Sequence, residues 1–429
     1  MTAPTRVLSA ARILTGTGAS LHGGSLLLGA GTVSEMGDAP LGAAPARSAG
    51  GPGSDADVWI TPGLIHAHRA LRDASVQRDR VRGDRTAAAR PADHRSADAG
   101  RGDTAGTHAA EGSSDARLPG SPALHALDAL GDPQSVGTAG ATSEGITAVV
   151  VHPVLGGPFA GRSTALRLGP DARADDRVLR GEIGLITGRS SGEPGPSPTQ
   201  AMTDLAALRR ALMAAQDYAA ARDQARSLGE PFRRNPDDEV LARTLAGSLL
   251  WVHRARDSAE AQGAIRLADE FGHRLVLAAE AGPSLTEVAD ALAERAIPVL
   301  LSPGARIHDG TAAALHRAGV ELALVTGPDA PDPRAATDTR PRLIDWARRA
   351  VAAGLDPEAA LASITRVPAE MMGLGSRCGV LDVGRSADFT VWSGDPLAPG
   401  SEVLRVYVAG AEVYRAPSVP PLSESAPAG

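Results

Sequence analysis

From residue 145 onward the chain alternates short apolar runs with stretches of helical period. Ile146-Thr147-Ala148-Val149-Val150-Val151 is a run of buried-strand length. Leu205 to Ala225 carries apolar residues at Leu205, Leu208, Leu212, Ala215 and Ala219, which predicts a helix with Asp204 as its N-cap. Asp257-x-x-Glu260 reads as a capping box for a helix to Phe271 that Gly272 ends, and Ser284-x-x-Glu287 opens another. Further helices are predicted over Thr311–Ala318, Arg342–Ala353 and Asp356–Ser363, with a turn starting at Pro368. Strands fall near residues 62, 148, 185, 251, 276, 299 and 323. Such alternation predicts parallel βαβ units and an α/β fold, a TIM-like (β/α)8 barrel whose remaining strand lies between residues 160 and 245.

Both chain ends read differently. Val7-Leu8, Arg12-Ile13-Leu14 and Ser25-Leu26-Leu27-Leu28 are short runs punctuated by glycine, and Ser386–Trp392 and Val403–Val408 return to strand character. Neither end has enough strands for an independent sheet. The expectation is one composite β-sandwich domain from residues 1–57 and 376–415, flanking a barrel over 58–375, with a disordered tail at 416–429. Residues 73–121 are rich in Asp, Arg, Ala and Gly, and are expected to form a mobile insertion. His94 and His108, inside it, are read as solvated.

Composition narrows the chemistry. The chain has 429 residues and only 3% aromatics, so its core rests on Leu, Val, Ile and Ala. All 43 basic residues are Arg. Without Lys, Schiff-base chemistry and carbamylated-lysine metal bridges are excluded. The net charge of −7 argues against nucleic acid as a partner. The lone Cys378 excludes an internal disulfide or a cysteine metal cluster, and reads as a small buried apolar residue. No apolar run has transmembrane length and no signal-peptide core follows Met1, so a cytoplasmic protein acting on a small molecule is expected, with no membrane partner; a homo-oligomer stays open.

In a barrel, reactive side chains sit at the C-terminal ends of strands. His66 and His68 follow Leu64-Ile65, His152 follows the 146–151 run, His253 follows Trp251-Val252, Glu280 closes Leu275–Ala279, and Asp329 lies beyond Val325. One histidine at a strand end ordinarily just hydrogen-bonds in a loop. Several together, with carboxylates, point to Zn2+ or another divalent ion. Residues i and i+2 of a strand share a side, so His66 and His68 are expected to reach one ion together with His253. Asp329 would carry the proton from water to the leaving nitrogen.

The stretch Thr61-Pro62-Gly63-Leu64-Ile65-His66-Ala67-His68 resembles the first-strand motif of the amidohydrolase superfamily. Gly145 to Pro153 and Gly156 to Gly161 are similar to its imidazolonepropionase-like branch. The stretch from Ala359 to Leu397, including Gly384-Arg385-Ser386-Ala387-Asp388, is similar to the family's return from barrel to β-sandwich. The resemblance implies hydrolysis of non-peptide C–N bonds, often in cyclic amides, with one or two divalent metals. In that register His68 is the first ligand, Ala70 stands where a second histidine belongs, His66 replaces an acid, and His253 matches the fifth-strand ligand. Glu280 is the nearest polar residue to the missing sixth-strand histidine, and Asp329 maps to the eighth-strand Asp. The incomplete set leaves two readings open: a metal-dependent hydrolase, or a non-catalytic relative serving as a binding or structural module. Gly188-x-Ser190-x-Gly192 matches a nucleophile elbow, but the prolines that follow cannot start the required helix.

Overall fold

The computed structural model describes residues 6–38, 58–70, 120–129, 139–153, 158–169, 177–188, 198–303, 308–326 and 342–419. Most of the 73–121 insertion with His94 and His108, the loop before Val58, Asp329, the Ser190 elbow and the tail beyond Val419 lie outside these residues.

Strands β1 (Arg6–Ser9), β2 (Arg12–Leu14), β3 (Ser20–His22), β4 (Ser25–Gly29), β5 (Thr32–Gly37) and β6 (Trp59–Pro62) come first. Then follow β7 (Leu64–Ala70), β8 (Ile146–His152), β9 (Phe159–Arg162), β10 (Thr164–Arg167), β11 (Val178–Arg180) and β12 (Gly184–Gly188). The later strands are β13 (Leu250–Ala255), β14 (Leu275–Glu280), β15 (Val299–Ser302), β16 (Leu322–Leu324), β17 (Phe389–Trp392), β18 (Val403–Val408) and β19 (Ala411–Arg415). A three-stranded sheet has the order β1-β4-β5, and a six-stranded sheet the order β19-β18-β17-β6-β2-β3. In the latter, β17 pairs antiparallel with β6, so residues from both chain ends share one sheet. The Trp392 indole donates to Thr61 Oγ1 at 2.9 Å inside that seam.

The remaining strands form two sheets, β11-β10-β8-β7 and β16-β15-β14-β13-β12-β9. Strands β12 to β16 are mutually parallel, as are β7 and β8. The strand that sequence periodicity left unplaced is the stretch 159–167. Its first half pairs with β12 and its second half with β8, antiparallel in both cases. Glycine at 161, in a left-handed conformation that brings it against Leu124, interrupts the apolar pattern that would have marked it. The other edges, β7 and β16, do not pair. The Ile65 amide donates to the Ile364 carbonyl and the Leu324 amide to the Ser363 carbonyl, both at 2.9 Å, so residues 363–364 occupy the seam. The expected all-parallel closed barrel is thus corrected: one strand runs the other way and the two sheets are not closed.

Side chains along these strands sort into two apolar clusters. Leu64, Val149, Val151, Leu185, Trp251, Leu277, Leu301 and Leu324 pack with helix residues such as Leu208, Ile265 and Trp346. Ile65, Ala67, Ala148, Val150, Ile186, Val252, Val276, Ala278, Leu300, Ala323 and Val325 meet one another. This is the period-two alternation of strands covered on both faces, and it defines an interior side and a helix side.

Helix ends follow local chemistry. Asp257 accepts from the Glu260 amide at 2.9 Å, and Gly272 ends that helix with φ 68°. The Glu260 carboxylate reaches the Arg256 amide and guanidinium instead of the cap. The long helix spans Pro198–Leu228, beginning before the expected Asp204, because a proline is well suited to a first turn that needs no N–H partner. The helix expected from Ser284 is broken into Pro283–Thr286 and Ala289–Glu294, and Pro368 lies within a short helix, Arg366–Met371.

Replacing Thr61 by Val should destabilise the protein by about 1–3 kcal/mol, because the buried Trp392 N–H loses its acceptor. Adding Trp392→Phe to that variant should change stability by less than replacing Trp392 in the parent. Chemical denaturation of the four proteins measures this coupling, and independent effects would contradict it.

Candidate functional site

Strand β7 approaches β8 closely because position 63 is glycine; a Cβ there would run into the Thr147 side chain. The register then slips twice. Ile65 and His66 pair with Ala148 and Val149, but the next pairs are Arg69 with Val151 and Ala70 with His152. Three steps along β7 match two along β8, which is a β-bulge placing Ala67 and His68 together opposite Val150. Alternation breaks there. His66 and His68, expected on one side, therefore separate.

His68 reaches the interior, where its ring stacks on His152 with centroids 4.2 Å apart. The rings are 2% and 1% exposed, and neither Nε2 has a hydrogen-bond partner. His152 Nδ1 lies 2.8 Å from the Pro153 carbonyl. A carbonyl can only accept, so that nitrogen carries the proton and Nε2 the lone pair. Burial is the main reason His68 titrates well below an ordinary histidine, with His152, Arg254 and His66 adding to it. Burial also lowers His152 to about 4, against the raising effect of the Pro153 carbonyl and with help from Arg254. Both rings are thus neutral, the state in which imidazole binds metals.

A cavity of about 20 Å³, enough for a water-sized occupant, is lined by His68, Arg254, Glu280 and Ser302 among others. Its polar residues come from the C-terminal ends of β7, β13, β14 and β15.

His66 goes elsewhere. Its Nε2 is 2.7 Å from Thr326 Oγ1 and 3.4 Å from the Thr326 amide, across the β7–β16 seam. His253 alternates with Trp251 on the helix side, where Nδ1 contacts Thr187 Oγ1 at 2.9 Å. It lines a separate groove of about 380 Å³ with Met202, Leu205, Asp257 and Glu260. Burial lowers its pKa to about 4, although Glu260 opposes the shift. The inward residue at this strand end is Arg254. Of the three expected ligands, then, the structure brings only His68 to the interior cavity, and the partner beside it is His152. Sequence reading marked His152 as a strand-end histidine but not as a ligand, and had no signal for Arg254.

The pair offers a divalent ion two neutral, buried imidazoles, with the Nε2 lone pair of His152 unused. His152 also has its other nitrogen fixed by a carbonyl, as metal-bound histidines usually do. Among the described residues no group of three side chains is in place to hold a metal, so His68 and His152 account for two donors. The Arg254 charge beside them works against a cation.

Comparison with known proteins agrees with the fold. Residues 259–413 match the family model described as "Amidohydrolase family". The chain is 41% identical over 66 residues to the amidohydrolase tasK of Hapsidospora irregularis, and 50% identical over 44 residues to the imidazolonepropionase of Acidiphilium cryptum. These stretches are 15% and 10% of this chain, and only 7% and 11% of those proteins. An amidohydrolase structure from Thermotoga maritima superposes with a TM-score of 0.72 at 23% identity, covering 96% of this chain and 100% of that one. Over residues 259–413 the chain is thus similar to the amidohydrolase family, and its fold is that of the Thermotoga amidohydrolase. No helix among the described residues is long and apolar enough to cross a membrane.

His273, tilted against Trp251 with ring centroids 4.6 Å apart and neither ring nitrogen bonded, has its pKa lowered by burial to about 4. Its folded pKa lies below the unfolded value near 6.5, so the unfolded chain binds the extra proton between those values. The resulting stability is full above about pH 6.5 and is lost as pH falls toward 4, by at most about 1.4 kcal/mol per pH unit. Urea denaturation from pH 7 to 5 should therefore show a shallower loss for His273→Gln than for the parent; equal slopes would contradict this.

Proposed function

We propose that the chain is a hydrolase that cleaves a non-peptide C–N bond, in a cyclic amide or related small molecule, with a divalent ion such as Zn2+. The observation that carries this reading is the buried His68–His152 pair with both Nε2 atoms unbonded, of which His68 lines a cavity at strand C-terminal ends. The stretch shared with an imidazolonepropionase supports a cyclic amide as substrate. The comparisons lend nothing to the non-catalytic alternative.

His68 and His152 would hold the ion. What a divalent ion supplies when bound is a water acidified to a pKa near 7 and a polarised carbonyl. The chain's own residues do the rest. The interior apolar cluster around Ala148, Val150, Val252 and Leu300 keeps bulk water from the histidines, which strengthens every charge interaction there. Arg254, its charge a cost to the cation, would donate hydrogen bonds to the carbonyl oxygen as negative charge develops. Asp329 would take the proton from the attacking water and deliver it to the leaving nitrogen.

The test is turnover by the full-length protein on a panel of cyclic amides, with linear peptides as controls. Asp329→Asn should lower kcat by about 10²–10⁴-fold while leaving Zn2+ binding intact. Arg254→Gln should lower kcat by roughly 10²-fold or more. Hydrolysis of the peptides alone would overturn the choice of bond, and full activity in Asp329→Asn would remove that residue from the mechanism.

A further inference from the structure

A cavity of about 830 Å³ lies at the N-terminal ends of β13 to β16, within the range of roughly 300–1,000 Å³ usual for small-molecule sites. Leu250 lines it at the start of β13, whereas Arg254 lines the His68 cavity at the other end of that strand. The two cavities are thus on opposite faces of the sheet's strand ends. Leu250, Ile297, Pro298 and Met371 give this one an apolar lining. His273 lines it too, and is only 7% exposed with neither ring nitrogen bonded. An unpartnered imidazole is costly to bury, so one on a cavity wall calls for an occupant.

Most charges around the cavity are already matched. Asp269 pairs with Arg295 at 3.0 Å, and Glu370 with Arg366 at 2.8 Å. The side chains of Arg274 and Glu321, also on the cavity, form no hydrogen bond or ion pair with another described residue. They stand just before β14 and β16, on either side of Ile297-Pro298, which leads into β15. Partial burial, and then the Glu370 charge, push the Glu321 carboxyl upward against the opposing effect of Arg366, so a cation is what it lacks.

We infer that this cavity binds a small zwitterion with an apolar body, of the α-amino-acid class. Arg274 takes its carboxylate, Glu321 its ammonium, and Leu250, Ile297 and Met371 its apolar part. A guanidinium meets a carboxylate through two parallel N–H donors. A simple acid would leave Glu321 facing a like charge, and a simple amine would do the same to Arg274. A molecule carrying both groups satisfies both residues. The neutral imidazole of His273 offers one N–H and one lone pair, and so can serve either end. Neither nitrogen touches solvent, and a turn about χ2, a broad torsion for histidine, brings one to the cavity wall. The site is independent of the proposed reaction and of any metal.

The experiment is calorimetric titration of the full-length protein with L-leucine and two analogues of it. One, 4-methylpentanoate, lacks the ammonium; the other, 3-methylbutylamine, lacks the carboxylate. Leucine should bind at least about tenfold more tightly than either, which is what one charge-assisted hydrogen bond contributes. Arg274→Gln should weaken leucine by about tenfold or more without weakening 3-methylbutylamine. Glu321→Gln should weaken leucine similarly without weakening 4-methylpentanoate. His273→Gln should also weaken leucine. Arg274 and Glu321 are exposed, so their variants decide the matter where the His273 variant does not fold. His68→Ala, at the opposite strand ends, should bind leucine within about threefold of the parent. A parent that binds no leucine overturns the inference, as do equal affinities for the three ligands. So does parent-like leucine binding in Arg274→Gln and Glu321→Gln, or a loss in His68→Ala as large as in Arg274→Gln. Turnover is not read, so none of these outcomes bears on the proposed reaction.

Discussion

Between His66 and Arg69, strand β7 advances three residues while its neighbour β8 advances two. Everything at the interior cavity depends on that slip. A regular strand would send His66 and His68 to one side, and the interior would then receive Ala67 and not His68. The bulge instead places one histidine in the seam with Thr326 and the other against His152. It also has a cost. Two imidazole nitrogens end up buried without partners, and each such group is worth about 1–3 kcal/mol of lost stability. Buried unsatisfied groups are few in native proteins and call for an explanation; a ligand that uses both lone pairs is the explanation that fits here.

The fold was legible where apolar runs were unbroken. Ile146–Val151, Leu249–Val252 and Val299–Leu301 are strands buried on both faces, and continuous hydrophobicity is what such strands require. The Asp257 cap and Gly272 stop were also legible, since both act within one turn of chain. Strand 159–167 was not. Phe159-Ala160-Gly161-Arg162 looks like a loop, and it becomes a strand only because β8 and β12 offer edges on either side. The open seam between β7 and β16 was equally beyond sequence, because the backbone of Ser363-Ile364, which entered the reading as the end of a helix, takes up the edge amides of Leu324 and Ile65.

The candidate site was half legible. Strand ends could be located, so the histidines that cluster there could be named. Which way each ring points could not, because that rests on parity, and a single bulge reverses it. His253 shows the opposite case: its strand is regular, so its position next to Val252 fixes it on the side of Trp251 and leaves the inward place to Arg254. A sequence match to a ligand position says nothing about that parity.

The proposed function stands on the bulge bringing His68 against His152. Anomalous diffraction at the zinc edge, from crystals of the full-length protein soaked in Zn2+, tests it most directly. One strong peak about 2.0–2.1 Å from the Nε2 atoms of both His68 and His152 is expected, with His66 still bonded to Thr326. A peak held by His66 or His253 and remote from His152 would contradict it.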